Sequence, residues 1–369
     1  MPSETPDPAL RWDIFCRVID NFGDLGVCWR LACHLARRGQ SVRLWVDASA
    51  ALAWMAPVGE PGVEVRPWTA PMNLSGITPG DAMVEAFGCE IDPEFIAIYA
   101  LSIRAGGQKS IWINLEYLSA EDFPRRCHGL PSPVMSGPGA GLSKHFFYPG
   151  FTADTGGLLR EPDLVRRQEQ FDRSGWLAAL GLNWQGERLV SLFCYEPAGL
   201  GELLDLLAND VQRTCLLVTQ GRASAAVQAE IMGKNRAKPL WNKRAVLSIF
   251  YLPHLSQTDF DHLLWASEVN FVRGEDSLVR ALWAGKPLVW HIYPQDDGAH
   301  VPKLQAFLDW LQAPASMRAF HEGWNGLEAA LPAVFAPQDW HNCVMQARAR
   351  LLSQPDLVTQ LLGFCAKNP

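Results

Sequence analysis

The segment Asn270-Phe-Val-Arg-Gly-Glu-Asp-Ser-Leu-Val-Arg-Ala-Leu-Trp-Ala-Gly-Lys-Pro287 gathers several reactive or charged side chains at one turn. Glu268 to Val272 reads as the end of a buried strand, Gly274 permits a sharp turn, and Ser277 to Ala284 continue as a helix. A strand feeding a helix this way leaves backbone N–H groups free at the helix start, where anionic phosphate binds well. Arg273 adds a fixed positive charge there and Ser277 a hydroxyl. Glu275 and Asp276 repel phosphate, so a binding role for them points to sugar or ribose hydroxyls. The same residues admit a plainer reading, with Asp276 or Ser277 as the N-cap and Arg273–Glu275 as a solvated pair. The segment alone leaves both readings open.

A second loop, Ile19-Asp-Asn-Phe-Gly-Asp-Leu-Gly26, carries Asp20, Asn21, Phe22, Gly23 and Asp24. Asp20 follows a strand, a position that suits a catalytic carboxylate, and Gly23 lets backbone approach a ligand closely. Asp24 equally suits capping of a helix that begins near Leu25. The loop is not Gly-x-Gly-x-x-Gly, which argues against nicotinamide or flavin binding. Phe193 and Tyr195 at one strand end offer rings that stack on a base or simply complete a core, and His254, after another strand, reads by itself as a surface or capping histidine. Gln295 follows a further strand within a Pro-containing turn.

These groups need a scaffold, and the hydrophobic pattern supplies one. In the first part, strands are expected at Trp12–Val18, Ser41–Asp47, Val63–Pro67, Asp81–Phe87, Ser110–Leu115 and Lys144–Tyr148. Helices to about Arg38 and from Pro93 to Ser102 separate some of them, and residues 119–143, rich in Pro, Gly and Ser, read as a long loop. In the second part, strands are expected at Leu189–Tyr195, Thr214–Thr219, Val246–Tyr251, Val269–Val272 and Leu288–His291, with helices between. This alternation predicts an α/β protein with parallel sheets. The expected organisation is a domain at 1–152 completed by a C-terminal helix at 354–369, a linker at 153–185 and a second domain at 186–353. Ligands of open α/β sheets bind beyond the carboxyl ends of the strands, so loops 19–26 and 273–277 belong at the binding end of each sheet.

Composition narrows the function classes. A hydrophobic content of 48% with 19% charged residues is that of a globular protein. The net charge of −7 argues against general binding to nucleic acid. Nine cysteines at irregular spacing, with no Cys-x-x-Cys pair, suggest reduced thiols and a cytoplasmic protein. The nine histidines form no His-x-His or His-Glu-x-x-His pattern, so no metal site is expected. The polar, proline-rich start is unlike a signal peptide, and no apolar run approaches membrane-spanning length.

Trp12-Asp-Ile-Phe-Cys with Asp20-Asn-Phe-Gly-Asp-Leu-Gly26, then Asn270-Phe-Val-Arg-Gly-Glu-Asp-Ser277, then Trp290-His-Ile-Tyr-Pro-Gln295 resemble the bacterial protein-arginine rhamnosyltransferases, the EarP family, nearly end to end. The resemblance implies the GT-B fold, two Rossmann-like domains facing across a cleft. It implies inverting transfer of rhamnose from dTDP-β-L-rhamnose to an arginine of translation elongation factor P, with no cofactor. It further implies Asp20 as the group acting on the acceptor arginine and Glu275 as a second essential carboxylate, with Asp24 or Glu275 sharing the orientation. Asn21, Phe22, Gly23 and Gln295 join the substrate-binding set. Arg273, Gly274, Asp276 and Ser277 then hold diphosphate and ribose, and Phe193 and Tyr195 line the nucleotide pocket. The family usually places an aromatic residue after Leu-Pro, where this chain has Leu252-Pro253-His254. There the imidazole stacks on the base or the loop backbone binds it. Two other classes share these features: another nucleotide-sugar enzyme of the same fold (a small-molecule glycosyltransferase or an epimerase), and a non-catalytic module that binds a translation factor.

Overall fold

The computed structural model describes residues 9–19, 22–106, 110–242 and 246–368. It divides into two compact units, Met1–Glu161 with Leu351–Pro369, and Pro162–Arg350.

The first unit is built on a seven-stranded sheet. In chain order its strands are β1 (Arg11–Cys16), β2 (Ser41–Val46), β3 (Val63–Pro67), β4 (Ala82–Ala86), β5 (Ile111–Leu115), β6 (Pro131–Pro133) and β7 (Ser143–Phe147). They lie in the order β3-β2-β1-β4-β5-β7-β6, all parallel except that β6 pairs antiparallel to β7. Strands β4 and β5 are buried along their whole length, as a parallel sheet covered on both faces requires. The edge strand β3 has no fully buried residue, and its Glu64 and Val65 are exposed.

One face of this sheet packs on helix Gly23–Arg37 through Leu25, Cys28, Leu31 and Leu35. Helix Leu357–Lys367 joins the same core through Leu357, Val358, Leu361 and Leu362. The far end of the chain thus completes the first sheet's cover. The opposite face packs Phe15, Trp45 and Met83 against Phe95 and Tyr99 of helix Pro93–Arg104. Residues 119–143, read from sequence as loop, include helix Asp122–Cys127 and β6. Both ends of β6 are prolines, which an edge strand accepts because it need not donate on its open side.

The second unit has a five-stranded parallel sheet of β8 (Arg188–Leu192), β9 (Thr214–Val218), β10 (Leu247–Tyr251), β11 (Val269–Arg273) and β12 (Leu288–His291). Their order is β10-β9-β8-β11-β12. Residues 162–185, expected to be linker, instead form helices Leu164–Glu169 and Arg173–Ala179 within this unit. Leu177 enters a core with Leu189, Leu217 and Leu263. Charge density along this stretch reads as linker, but its few apolar residues line one face and bury it.

Helix Gly274–Ala284 begins three residues earlier than the sequence suggests, so Glu275 and Asp276 belong to its first turn. Gly285 ends it at φ +68°, the left-handed geometry of a helix stop. A β-carbon on Gly285 would meet only the flexible side chains of Met345 (Sδ at 2.9 Å) and Arg348, so it is the backbone conformation that calls for glycine there. Among the described residues no helix is long and apolar enough to cross a membrane.

Candidate active site

The second sheet reverses its winding between β8 and β11: β8, β9 and β10 run outward one way, β11 and β12 the other. The carboxyl ends of β8 and β11 flank the crevice that such a reversal opens to ligands. Phe193 and Tyr195 follow β8, and Arg273 ends β11. β8 stops at Leu192, shorter than its apolar run suggests, yet the Phe193 N–H still donates to the Phe271 carbonyl at 2.9 Å. The fold therefore brings these three predicted residues together.

Arg273 is 9% exposed. Its guanidinium lies 4.4 Å from the ring centroid of Phe193 and 4.7 Å from that of Tyr195. Nη1 donates to the Cys194 carbonyl at 3.2 Å. A planar guanidinium held against two aromatic rings keeps its charge while its direction is fixed. Tyr195 is itself only 2% exposed and also carries Arg222, 4.9 Å from its centroid. Its ring therefore props Arg273 and leaves little surface for a base, whereas Phe193 is partly exposed and can wall a pocket.

Three partners escaped the sequence reading. Arg222 forms an ion pair with Glu196, whose carboxyl the guanidinium holds below its usual range. The Tyr195 N–H donates to His291 Nδ1 at 3.3 Å, so that nitrogen must be unprotonated. Burial, and then the nearby Arg273 charge, push the His291 pKa down to about 4. His291 lies within the Trp290–Gln295 motif, and parallel register sets it beside Arg273. Only strand pairing reveals that neighbour. The third, Lys303, comes from helix His300–Leu311 and meets Glu275 Oε1 at 2.5 Å.

The turn itself uses part of the predicted binding set. Gly274 has φ +63°, which gives the strand-to-helix corner its sharpness. Ser277 Oγ accepts from the Arg273 N–H at 3.0 Å and donates its proton to the Arg273 carbonyl. The hydroxyl thus braces the turn, leaving the helix amides and Arg273 as the anion-directed groups. Asp276 is half-buried in the same turn. His254 and Gln295 are exposed and follow the edge strands β10 and β12, on opposite sides of the reversal. The Gln295 N–H donates to His300 Nδ1 at 3.1 Å. Buried Cys194 is no nucleophile, because burial lifts its thiol to about 12.

In the first unit the winding reverses between β1 and β4. Asp20 and Asn21, which the sequence places after β1, lie outside the described residues. Around them, helix Gly23–Arg37 starts at Gly23, with Phe22 as an N-cap that forms no side-chain bond. Asp24 is therefore in the first turn and does not cap from outside it. Its Oδ2 accepts from the Ile19 N–H at 2.9 Å, tying the two ends of the loop together. Phe22 is 41% exposed and sets its ring edge-on to Trp54 at 5.1 Å. Beneath, the fully buried Asp13 accepts from Trp45 Nε1 at 2.8 Å and from Arg43 Nη2 and the Gly80 N–H, both at 2.7 Å. Those bonds satisfy its charge within the sheet. Among the described residues no cluster of three His, Cys, Asp or Glu side chains has the makings of a metal site.

The model of the family described as Elongation-Factor P (EF-P) rhamnosyltransferase EarP matches residues 12–366. The protein-arginine rhamnosyltransferase of Pseudomonas putida is 43% identical, over 96% of this chain and 98% of its own. That of Neisseria meningitidis is 35% identical, over 98% of each. A solved structure concerned with EarP-mediated arginine glycosylation of translation elongation factor EF-P aligns with a TM-score of 0.62 at 31% identity, covering 97% of this chain and 99% of that one. The calicheamicin glycosyltransferase CalG4 shares the fold alone, with a TM-score of 0.50 at 15% identity over 97% and 98% of the two chains. With two Rossmann-like units of the GT-B class and these relatives along nearly its whole length, the chain belongs to the EarP family of protein-arginine rhamnosyltransferases.

Proposed function

We propose that this rhamnosyltransferase moves L-rhamnose from dTDP-β-L-rhamnose to an arginine of elongation factor P, with inversion at the anomeric carbon and no metal ion. The observation that carries the donor half is Arg273, pinned across Phe193 and Tyr195 beside the first turn of helix Gly274–Ala284. A nucleoside diphosphate leaving group needs positive charge where its negative charge grows. Arg273 and the helix amides offer that charge already oriented. Phe193 supplies the ring surface for the base, while Glu275 and Asp276 suit ribose or sugar hydroxyls.

Arginine is a poor nucleophile because its guanidinium stays protonated at neutral pH. In the proposed step one guanidinium nitrogen attacks C1 of the sugar as the C1–O bond breaks, and that bond's electron pair leaves on the diphosphate. The Asp20 carboxylate takes the proton released from nitrogen. Asp24, bonded to the Ile19 N–H, holds the loop that carries Asp20. The nine unpaired thiols, mostly buried, favour a reducing, cytoplasmic setting.

The test is intact mass of elongation factor P after incubation with this protein and dTDP-β-L-rhamnose in EDTA. The expected result is a gain of one deoxyhexose on an arginine, with an α-linkage by NMR. Asp20→Asn should abolish transfer while dTDP still binds. No gain with intact dTDP binding overturns the acceptor or the sugar, and loss of dTDP binding overturns the donor reading.

A further inference from the structure

The carboxyl edge of the first sheet holds a second acidic feature that the mechanism above does not use. Along one face of β4, β5 and β7 lie Glu85, Asn114, Lys144 and Phe146, with Glu116 and Tyr148 just past their strand ends. Glu85 is satisfied, since Lys144 Nζ donates to it at 2.9 Å and Trp112 Nε1 at 3.1 Å. Glu116 is not. Its bond comes from Asn114 Nδ2 at 2.7 Å, and among the described residues no cation lies within ion-pair distance of it. Asn114 is 5% exposed, and its Oδ1 is buried with no hydrogen-bond partner among the described residues.

A buried amide with one end satisfied and one end idle is costly and calls for a reason. Here it holds a half-buried carboxylate in a fixed position. Aromatic rings stand beside the pair. Tyr148 stacks with Phe146 at 6.0 Å, and Phe123, 39% exposed, sets its edge on Tyr148 at 5.7 Å. Burial raises the Glu116 pKa, and the Asn114 bond and the more distant Lys144 charge offset that only in part, so a cation bound directly would relieve it further. An acid beside partly exposed aromatic rings is the chemistry that receives a guanidinium or ammonium group.

The position also says which cation. β5 lies two strands from β1, whose following loop carries Asp20. At the usual strand spacing the ends of β1 and β5 are about 10 Å apart, wider than one guanidinium. We infer that Glu116, positioned by Asn114 and flanked by Tyr148 and Phe123, binds a second basic side chain of the protein acceptor, separate from the arginine that is modified. This rests on the reading of a protein acceptor given above. It makes Glu116 a specificity residue and Asn114 a positioning residue.

The test is steady-state transfer to elongation factor P by Glu116→Gln and Asn114→Leu. Loss of one charge-assisted contact should raise the acceptor KM about tenfold or more, with the effect on KM rather than kcat and dTDP affinity unchanged. Asn114→Leu also removes the idle acceptor, so its Tm should not fall, whereas a merely structural role predicts a lower Tm. Single Lys→Ala and Arg→Ala variants of the acceptor should include one whose KM increase is not additive with Glu116→Gln. Acceptor KM changes under twofold, or full additivity for every acceptor variant, overturn the inference. If wild-type protein transfers nothing to elongation factor P, the acceptor reading has failed and the Glu116 site is judged separately with methylguanidinium. A shift of the Glu116 side-chain carboxyl NMR signal that is lost in Asn114→Leu then supports it, and no shift overturns it.

Discussion

Two buried histidines make the second unit sensitive to mild acid, and the size of the effect follows from their packing. His321 is fully buried on helix Ala315–Trp324. Its Nε2 accepts from the Trp290 N–H at 3.1 Å, and its Nδ1 lies 2.9 Å from the Met317 carbonyl. The ring is therefore the neutral Nδ1–H tautomer, and burial holds its pKa near 4. His291, on β12, is held near 4 as well. A histidine lowered on folding leaves the unfolded chain binding more protons between the two pKa values. Stability is then full above 6.5 and declines as pH falls toward 4. For one such group the loss is roughly 2 kcal/mol between pH 7.5 and 5. The pair together lose about 4 kcal/mol over that range, enough to matter against a typical domain stability. Glu196 and Asp210, whose pKa values are lowered, contribute mainly below pH 5, so stopping there isolates the histidines. The assay is urea unfolding by tryptophan fluorescence at pH 7.5 and 5.0, with wild type beside His321→Gln. Glutamine can still accept from Trp290 but cannot titrate, so the variant should lose about 2 kcal/mol less on acidification. An equal loss in both proteins, or none in wild type, would refute the assignment of buried neutral imidazoles.

Two further outcomes follow from single contacts. Arg273→Lys keeps the charge but loses the planar contact with Phe193 and Tyr195 and the directed bond to Cys194; kcat/KM for transfer should fall about 10- to 100-fold, roughly 1.5–3 kcal/mol, and calorimetry should show weaker dTDP binding. Leu361→Ala, at a fully buried position of the C-terminal helix, should destabilise the first unit by about 2–5 kcal/mol in urea unfolding while dTDP affinity stays as it was.

The parts legible in the sequence are those that depend on local pattern. Buried parallel strands are mostly apolar, with one or two polar residues in each, so β4, β5, β8 and β9 announce themselves, and Gly285 marks a helix end by backbone geometry alone. Arg273 was visible from its place at a strand-to-helix turn, whereas Phe193 and Tyr195 at a strand end read equally as core, and only the motif resemblance assigned them to a pocket. What stayed hidden depends on pairing between distant segments. His291 neighbours Arg273 only through the register of β11 with β12, and Lys303 meets Glu275 only once helix His300–Leu311 is folded back. Ser277 illustrates a different limit. A hydroxyl four residues after Arg273 serves equally to hold phosphate or to brace its own turn, and the bond to the Arg273 carbonyl decides for the brace.

That choice bears on catalysis. The proposed displacement needs positive charge that does not have to reorganise as a diphosphate leaves. A long arginine free in solvent meets that need poorly, because its rotamers must be ordered at each turnover. Here the ordering is done on folding: Ser277 fixes the Arg273 backbone, Cys194 takes one guanidinium donor, and two rings lie against the guanidinium. His291 helps by staying uncharged. As an imidazolium it would lose the Tyr195 N–H bond and set a second positive charge beside Arg273, loosening the ring that props it. The same burial that costs stability in acid therefore keeps the Arg273 guanidinium in place at neutral pH.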